Sequence, residues 1–224
     1  MSDTPRIFAI GDIHGCRRQL AMLLGRIPLD RERDTLVFLG DYINRGPDSR
    51  GVIETLLEVR ARCAHTVFLL GNHEEMLLEY ASGGDIDRLR LLHDMGVEAT
   101  LASYNAAMRD LRSLAFLPDA HLEFLRSLRM SWAHGPYLFV HADAAAEDGA
   151  GTDGGSPMRT ADQLLASRRL AREDTLQSNR LVVFGHTAFE TPLVMPDRIC
   201  VDTGAVYGNM LTALELPALR FHHA

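Results

Sequence analysis

Five short segments govern what this 224-residue chain can fold into: Gly11-Asp12-Ile13-His14-Gly15, Gly40-Asp41-Tyr42-Ile43-Asn44-Arg45-Gly46, Gly71-Asn72-His73-Glu74, His141-Ala142-Asp143 and Gly185-His186-Thr187. Each ends a predicted strand and opens into a loop that carries a carboxylate, an imidazole or an amide oxygen. Glycine lets the backbone turn sharply at such points.

The first third alternates apolar runs with helical patterns. Residues 6–10, 35–39 and 66–70 are predicted strands, and the helix before the third is predicted to be capped by Ser49. Its Val52, Ile53, Leu56, Leu57 and Val59 recur at the spacing of one buried stripe. A βαβαβ pattern implies a parallel sheet with helices on its faces. Ligands of such sheets gather outside the carboxyl ends of the strands, where Asp12, Asp41 and Asn72 fall.

Residues from about 75 to 130 are predicted to form a helical insertion flanking the site. Its packing positions are Leu89, Leu91, Leu92, Leu111, Leu114, Leu122, Phe124, Leu125 and Leu128. Strand signals return at residues 137–141, 181–184, 198–201 and 211–216, predicting a second sheet packed on the first. The expected fold class is α/β, a two-sheet β-sandwich flanked by helices, as one domain over residues 1–224. Residues 142–157 hold almost no bulky apolar side chain and are predicted to form a mobile surface loop, either a lid or recognition loop beside His141 or a plain connector.

The donor types point to a pair of divalent cations held by mixed oxygen and nitrogen ligands, one carboxylate bridging both. Asp41 is the expected bridge; Asp12 and His14 would face one ion, and Asn72, His141 and His186 the other. Such ligands suit manganese, iron or zinc, with manganese the choice for assays. His65, His93, His121, His134, His222 and His223 lack companion motifs and are expected in surface or packing roles.

A net charge of −7 argues against a broad face for nucleic-acid polymers. Three cysteines with no CxxC pair fit a reducing cytoplasm better than a disulfide framework. The N-terminus lacks the long apolar region of a secretion signal, and no run reaches membrane-spanning length.

In order and spacing these motifs resemble those of the phosphoprotein phosphatase branch of the calcineurin-like metallophosphoesterases, whose hallmarks are GDxHG, GDxxDRG, GNHE, a downstream histidine motif and GHT. The resemblance spans nearly the whole chain. Residues 96–104 (GVEATLASY) and 201–208 (VDTGAVYG) look like those of small bacterial members, which include serine/threonine phosphatases and symmetrical diadenosine tetraphosphatases. It implies the calcineurin-like fold and in-line attack on phosphorus by a hydroxide held between two metal ions, without a covalent phosphoenzyme. It implies His73 as the general acid for the departing alkoxide and Arg45 as a fork on the phosphate. It also implies a second phosphate-binding arginine; the nearest match is Arg168 in Leu164-Leu165-Ala166-Ser167-Arg168, with Arg159, Arg169 and Arg172 close by.

Two positions depart from the family pattern. Asn44 stands where an aspartate pairs with the histidine of GNHE, and a neutral amide can orient that ring without raising its pKa by charge. Ala142-Asp143 follows His141 where glycine is common. Neither removes a proposed ligand. The expected activity is metal-dependent hydrolysis of phosphomonoesters on phosphorylated serine/threonine proteins or small phosphoesters. The alternatives are hydrolysis of a dinucleoside polyphosphate and a silent phosphate-binding scaffold.

Overall fold

Strands buried on both faces form where every position of a short run is apolar, because alternate side chains then enter two different cores. A computed structural model describes residues 5–143, 160–173, 176 and 178–224. In β1 (Ile7–Ile10), Ile7 and Ala9 enter one core and Phe8 and Ile10 another. β2 (Thr35–Phe38) and β3 (His65–Phe68) divide in the same way and lie parallel to β1 and to each other.

The run at residues 211–216, expected in the second sheet, belongs to the first. As β9 (Thr212–Leu216) it pairs antiparallel with β1, and β10 (Arg220–His223) pairs with β9, giving the order β10-β9-β1-β2-β3. An apolar run announces burial but not its partner. Here the open edge of buried β1 supplies one, since its N–H and C=O groups need hydrogen bonds.

The second sheet contains β4 (Ser131–His134), β5 (Tyr137–Val140), β6 (Leu181–Phe184), β7 (Leu193–Val194) and β8 (Arg198–Cys200), ordered β4-β5-β6-β8-β7. Its three central strands are parallel. Phe139, Val183 and Ile199 meet Ala9, Val37, Leu39 and Val67 in the seam between the sheets. β4, β7 and β10 were not legible as strands, being short and partly exposed.

Helices α1 (Arg17–Arg26) and α2 (Ser49–Arg62) pack Leu20, Leu23, Val52, Ile53 and Leu56 into the core that holds Phe8 and Phe38. The cap of α2 is Asp48, whose carboxylate accepts the Gly51 N–H at 2.8 Å, not Ser49. Ser49 is buried in the first turn, where its hydroxyl accepts the Asn44 N–H. Four helices occupy the predicted helical stretch: α3 (Asn72–Gly83), α4 (Ile86–Asp94), α5 (Val97–Ser103) and α6 (Asp119–Arg126). Of the packing positions, Leu92, Leu111, Leu114, Phe124 and Leu125 are buried, whereas Leu91 is 48% exposed because α4 buries only the Leu92 side of its surface.

Cys16, Cys63 and Cys200 are buried free thiols, and no described helix is long and apolar enough to cross a membrane. Residues 144–157 of the predicted mobile loop, and Arg159, lie outside the described residues.

Candidate metal centre

Parallel strands deliver their carboxyl ends to one side of a sheet, and five such ends carry the polar segments here. Asp12 follows β1, Asp41 follows β2, and Asn72 opens α3 after β3. From the other sheet, His141 follows β5 directly and His186 follows β6. His14, Asp41, Asn44, Arg45 and His186 all hold positive φ, between 43° and 68°. Left-handed backbone at non-glycine residues costs energy and is retained where surroundings over-determine it. Two glycines allow the approach: a Cβ on Gly71 would stand 2.2 Å from Asp41 Oδ1, and one on Gly185 2.3 Å from Asp12 Oδ1.

All six expected ligands come together. Asp41 lies between two donor groups: its Oδ2 is 3.3 Å from His14 Nε2, and its Oδ1 is 3.5 Å from His141 Nε2. Asn72 Oδ1 lies 3.1 Å from His141 Nε2 and 3.0 Å from His186 Nδ1. Both Asp12 oxygens accept the His186 backbone N–H at 3.1 Å.

The tautomers test whether cations fit. His14 Nδ1 donates to the Ile43 carbonyl and His141 Nδ1 to the Leu39 carbonyl, each at 2.9 Å. In the neutral rings both Nε2 atoms therefore carry lone pairs: that of His141 faces Asp41 Oδ1 and Asn72 Oδ1, and that of His14 faces Asp41 Oδ2 beside an Arg45 N–H. Acceptors aimed at acceptors suit a cation between them. Within one span of 4.8 Å lie ligand atoms of His14, Asp41 and His73, and within another those of Asp41, His141 and His186.

Electrostatics agree. Burial would push the Asp41 carboxyl up; positive charge at His141, then at His73 and His14, is what holds it well below the usual carboxylate range, and with those rings neutral a cation between them would supply that charge. Burial, then Asp202 and Asp41, push Asp12 well above that range. Burial lowers His73 to about 3 and His186 to about 4, so both rings stay neutral at pH 7.

Two residues escaped sequence reasoning. Asp202, two residues past β8, is 5% exposed and borders the same cavity as Asp12, repeating the strand-then-carboxylate signal of Asp12. Glu74 is fully buried; its Oε1 accepts the N–H of Tyr42 (2.8 Å) and Ile43 (3.1 Å), and its Oε2 those of Asp41 (3.0 Å) and Gly71 (3.2 Å). Its signal is a glutamate three places past Gly71, in the first turn of α3, where a carboxylate can reach back to the N–H of the cap residue.

His73 touches the rim of this group, with Nε2 3.8 Å from Asp41 Oδ2 and Nδ1 2.9 Å from Asn44 Nδ2. The Asn44 N–H donates to the Thr100 hydroxyl, whose own proton goes to Asn44 Oδ1, each at 2.8 Å. That leaves the Asn44 NH2 to donate to His73 Nδ1 and places the ring proton on Nε2.

A cavity of about 240 Å³ is bordered by Asp12, Asp41, His73 and Asp202, with Arg45, Arg168 and Tyr207 toward its mouth. Arg45 donates to His14 Nε2 at 2.8 Å and lies 5.7 Å from the Tyr207 ring centroid. One lone pair serves one partner, so a cation on His14 Nε2 and this Arg45 contact exclude each other. Arg169 turns into a buried ion pair away from the cavity, and Arg172 is exposed.

The chain is similar to the asymmetrical bis(5'-nucleosyl)-tetraphosphatase PrpE of Halalkalibacterium halodurans, 27% identical over 95% of this chain and 90% of that protein. Serine/threonine-protein phosphatase 1 of Salmonella typhimurium is 29% identical, over 94% and 91%. A symmetrical bis(5'-nucleosyl)-tetraphosphatase of Janthinobacterium sp. is 30% identical, over 93% and 92%. The family model of the calcineurin-like phosphoesterases matches residues 5–189, a span that takes in every converging donor except Asp202, and the chain accordingly belongs to that family of phosphoester hydrolases.

Proposed function

We propose that this protein is a two-cation phosphohydrolase whose best substrates release a weakly basic oxygen, dinucleoside polyphosphates and aryl phosphates ahead of serine and threonine phosphates. The observation that carries the two-cation reading is Asp41, one oxygen toward His14 and the other toward His141. Asp12, His14 and Asp202 would complete the first site; Asn72, His141 and His186 the second. Divalent cations held there would lower the pKa of a coordinated water and offset charge on the phosphoryl group. Arg45 and Arg168 would grip the phosphate oxygens from the mouth.

The substrate ranking rests on His73. Its proton sits on Nε2 and its Nδ1 already accepts from Asn44. A neutral imidazole that surrendered its only N–H would become an imidazolate, so His73 acts as a hydrogen-bond donor to the leaving oxygen, not as a full acid. Phosphoanhydride and phenolate leaving groups tolerate that; a serine alkoxide does not. Tyr207, 67% exposed beside Arg45, offers a flat face to the organic part of such a substrate.

The second reading, a serine/threonine protein phosphatase, is favoured by the mouth, where exposed Arg168 and Tyr207 leave room for a peptide. Three buried free thiols support a reducing cytoplasm as the working compartment.

The test is a panel of diadenosine tetraphosphate, p-nitrophenyl phosphate and a phosphoserine peptide, run on chelator-stripped protein with and without manganese. Activity should appear only with manganese and rank in that order, the peptide last. Products of the first substrate separate a symmetrical from an asymmetrical cut. A peptide rate above the other two would reverse the ranking, and no turnover with two manganese ions bound would leave the silent scaffold.

Asn44→Asp supplies a carboxylate that can accept from His73 Nδ1 and stabilise a doubly protonated ring. The rate on the phosphoserine peptide should rise on the order of tenfold, with little change on p-nitrophenyl phosphate. Equal changes on both would show that His73 does not govern the leaving group.

A further inference from the structure

Asp143 is a buried carboxylate two residues beyond His141, and among the described residues its side chain meets Ser167 and Arg169. Its side chain is 0% exposed, and its partner is Arg169, whose Nη2 meets Oδ1 at 2.7 Å and whose Nε meets Oδ2 at 3.0 Å. The Ser167 hydroxyl donates to the same Oδ2 at 2.9 Å and accepts the Arg169 N–H at 3.2 Å.

These bonds land on the residues either side of Arg168. The next residue, Leu170 in α7 (Arg169–Arg172), is buried against the outer face of the second sheet with Leu138 and Val140. Arg168 is thus the exposed member of a tied-down run, and it borders the cavity. A turn held only by its backbone would spread a long arginine over many rotamers; fixing both neighbours removes much of that entropy before substrate arrives.

A buried ion pair is a poor source of net stability, because desolvation offsets most of its attraction. A forked guanidinium on a carboxylate does fix geometry. We propose that Asp143 is a positioning residue: through Arg169 and Ser167 it fixes the turn that presents Arg168 to the phosphoryl group of the substrate. This rests on the reading of Arg168 as a phosphate-binding arginine.

The experiment is a double-mutant cycle on manganese-loaded protein using Arg168→Ala, Asp143→Asn and the two together. Three quantities are read: kcat and KM for p-nitrophenyl phosphate, metal content, and the calorimetric Kd for inorganic phosphate, which needs no turnover. Arg168→Ala should weaken phosphate binding and raise KM about tenfold. Asp143→Asn should raise both about three- to tenfold, with kcat within about twofold and two metals retained. The double variant should be no weaker than Arg168→Ala alone, because a bracket has no value once its cargo is gone.

Additive losses, or a fall in kcat or metal content with KM unchanged, would overturn the proposal and place Asp143 in support of His141 instead. Unchanged phosphate affinity in Arg168→Ala would overturn it together with the role of Arg168, while turnover and metal content in the same sample would leave the two-cation reading standing. Should Asp143→Asn fail to fold, Ser167→Ala removes one bond of the bracket and should still raise KM with kcat unchanged; no rise in KM there would overturn the proposal.

Discussion

Replacing Asp41 by asparagine should lower kcat by roughly a thousandfold or more, about 4 kcal/mol of transition-state stabilisation. No other described side chain offers one oxygen to each donor group, with His14 Nε2 at 3.3 Å on one side and His141 Nε2 at 3.5 Å on the other. An amide keeps one weak acceptor and turns an NH2 toward the other group, which cannot ligate a cation. The start of α3 reinforces the aspartate, since the His73 N–H donates to Asp41 Oδ1 at 3.2 Å from the positive end of that helix. The variant should therefore bind fewer than two metal ions per chain, read by elemental analysis after dialysis. Full metal content with wild-type turnover would remove the bridge from the account. Loss of turnover with both ions retained would move the role of Asp41 from holding the cations to orienting what they bind.

How much of this was legible in the sequence follows from what sequence pattern encodes. Asp12, His14, Asp41, Asn72 and His186 stand beside glycines at strand ends and His141 directly follows an apolar strand, so a local signal marks each one, and parallel strands bring local signals together without any knowledge of the contacts. Asp202 carried the same signal but lacked a histidine or glycine pair to announce a motif. The partner of residues 211–216 was not legible, because alternation reports burial on two faces and says nothing of which edge is open. Ser49 was misread for a related reason: a helix start holds several candidate caps, and Asp48 took the role once the loop at Asn44 and Thr100 had claimed the serine hydroxyl. The Asp143–Arg169 pair joins residues 26 apart in sequence, beyond the reach of any local pattern.

Glu74 should prove the second most sensitive position, although it contacts no phosphate in the proposed scheme. Its two oxygens accept four backbone N–H groups, three of them from the Asp41–Ile43 turn that carries the bridging carboxylate. Burial, with Asp41 nearby, pushes the carboxyl up to about 7, so holding it ionised at neutral pH is marginal and the donated N–H groups are what favour the charge. Glutamine at this position keeps one acceptor oxygen and points an NH2 at the remaining two donors. Two buried N–H groups then lose their partner, at about 1–3 kcal/mol each. A destabilisation of roughly 2–6 kcal/mol is a large share of the 5–15 kcal/mol typical of a folded domain. Glu74→Gln should show a lower urea midpoint and weakened metal binding together, because the turn that loosens is the one that aims Asp41. Glu74→Ala orphans all four donors and should fall further or fail to fold. A Glu74→Gln protein with wild-type stability and full metal content would mean that the Asp41 turn is held by Asn44, Thr100 and the start of α3 alone.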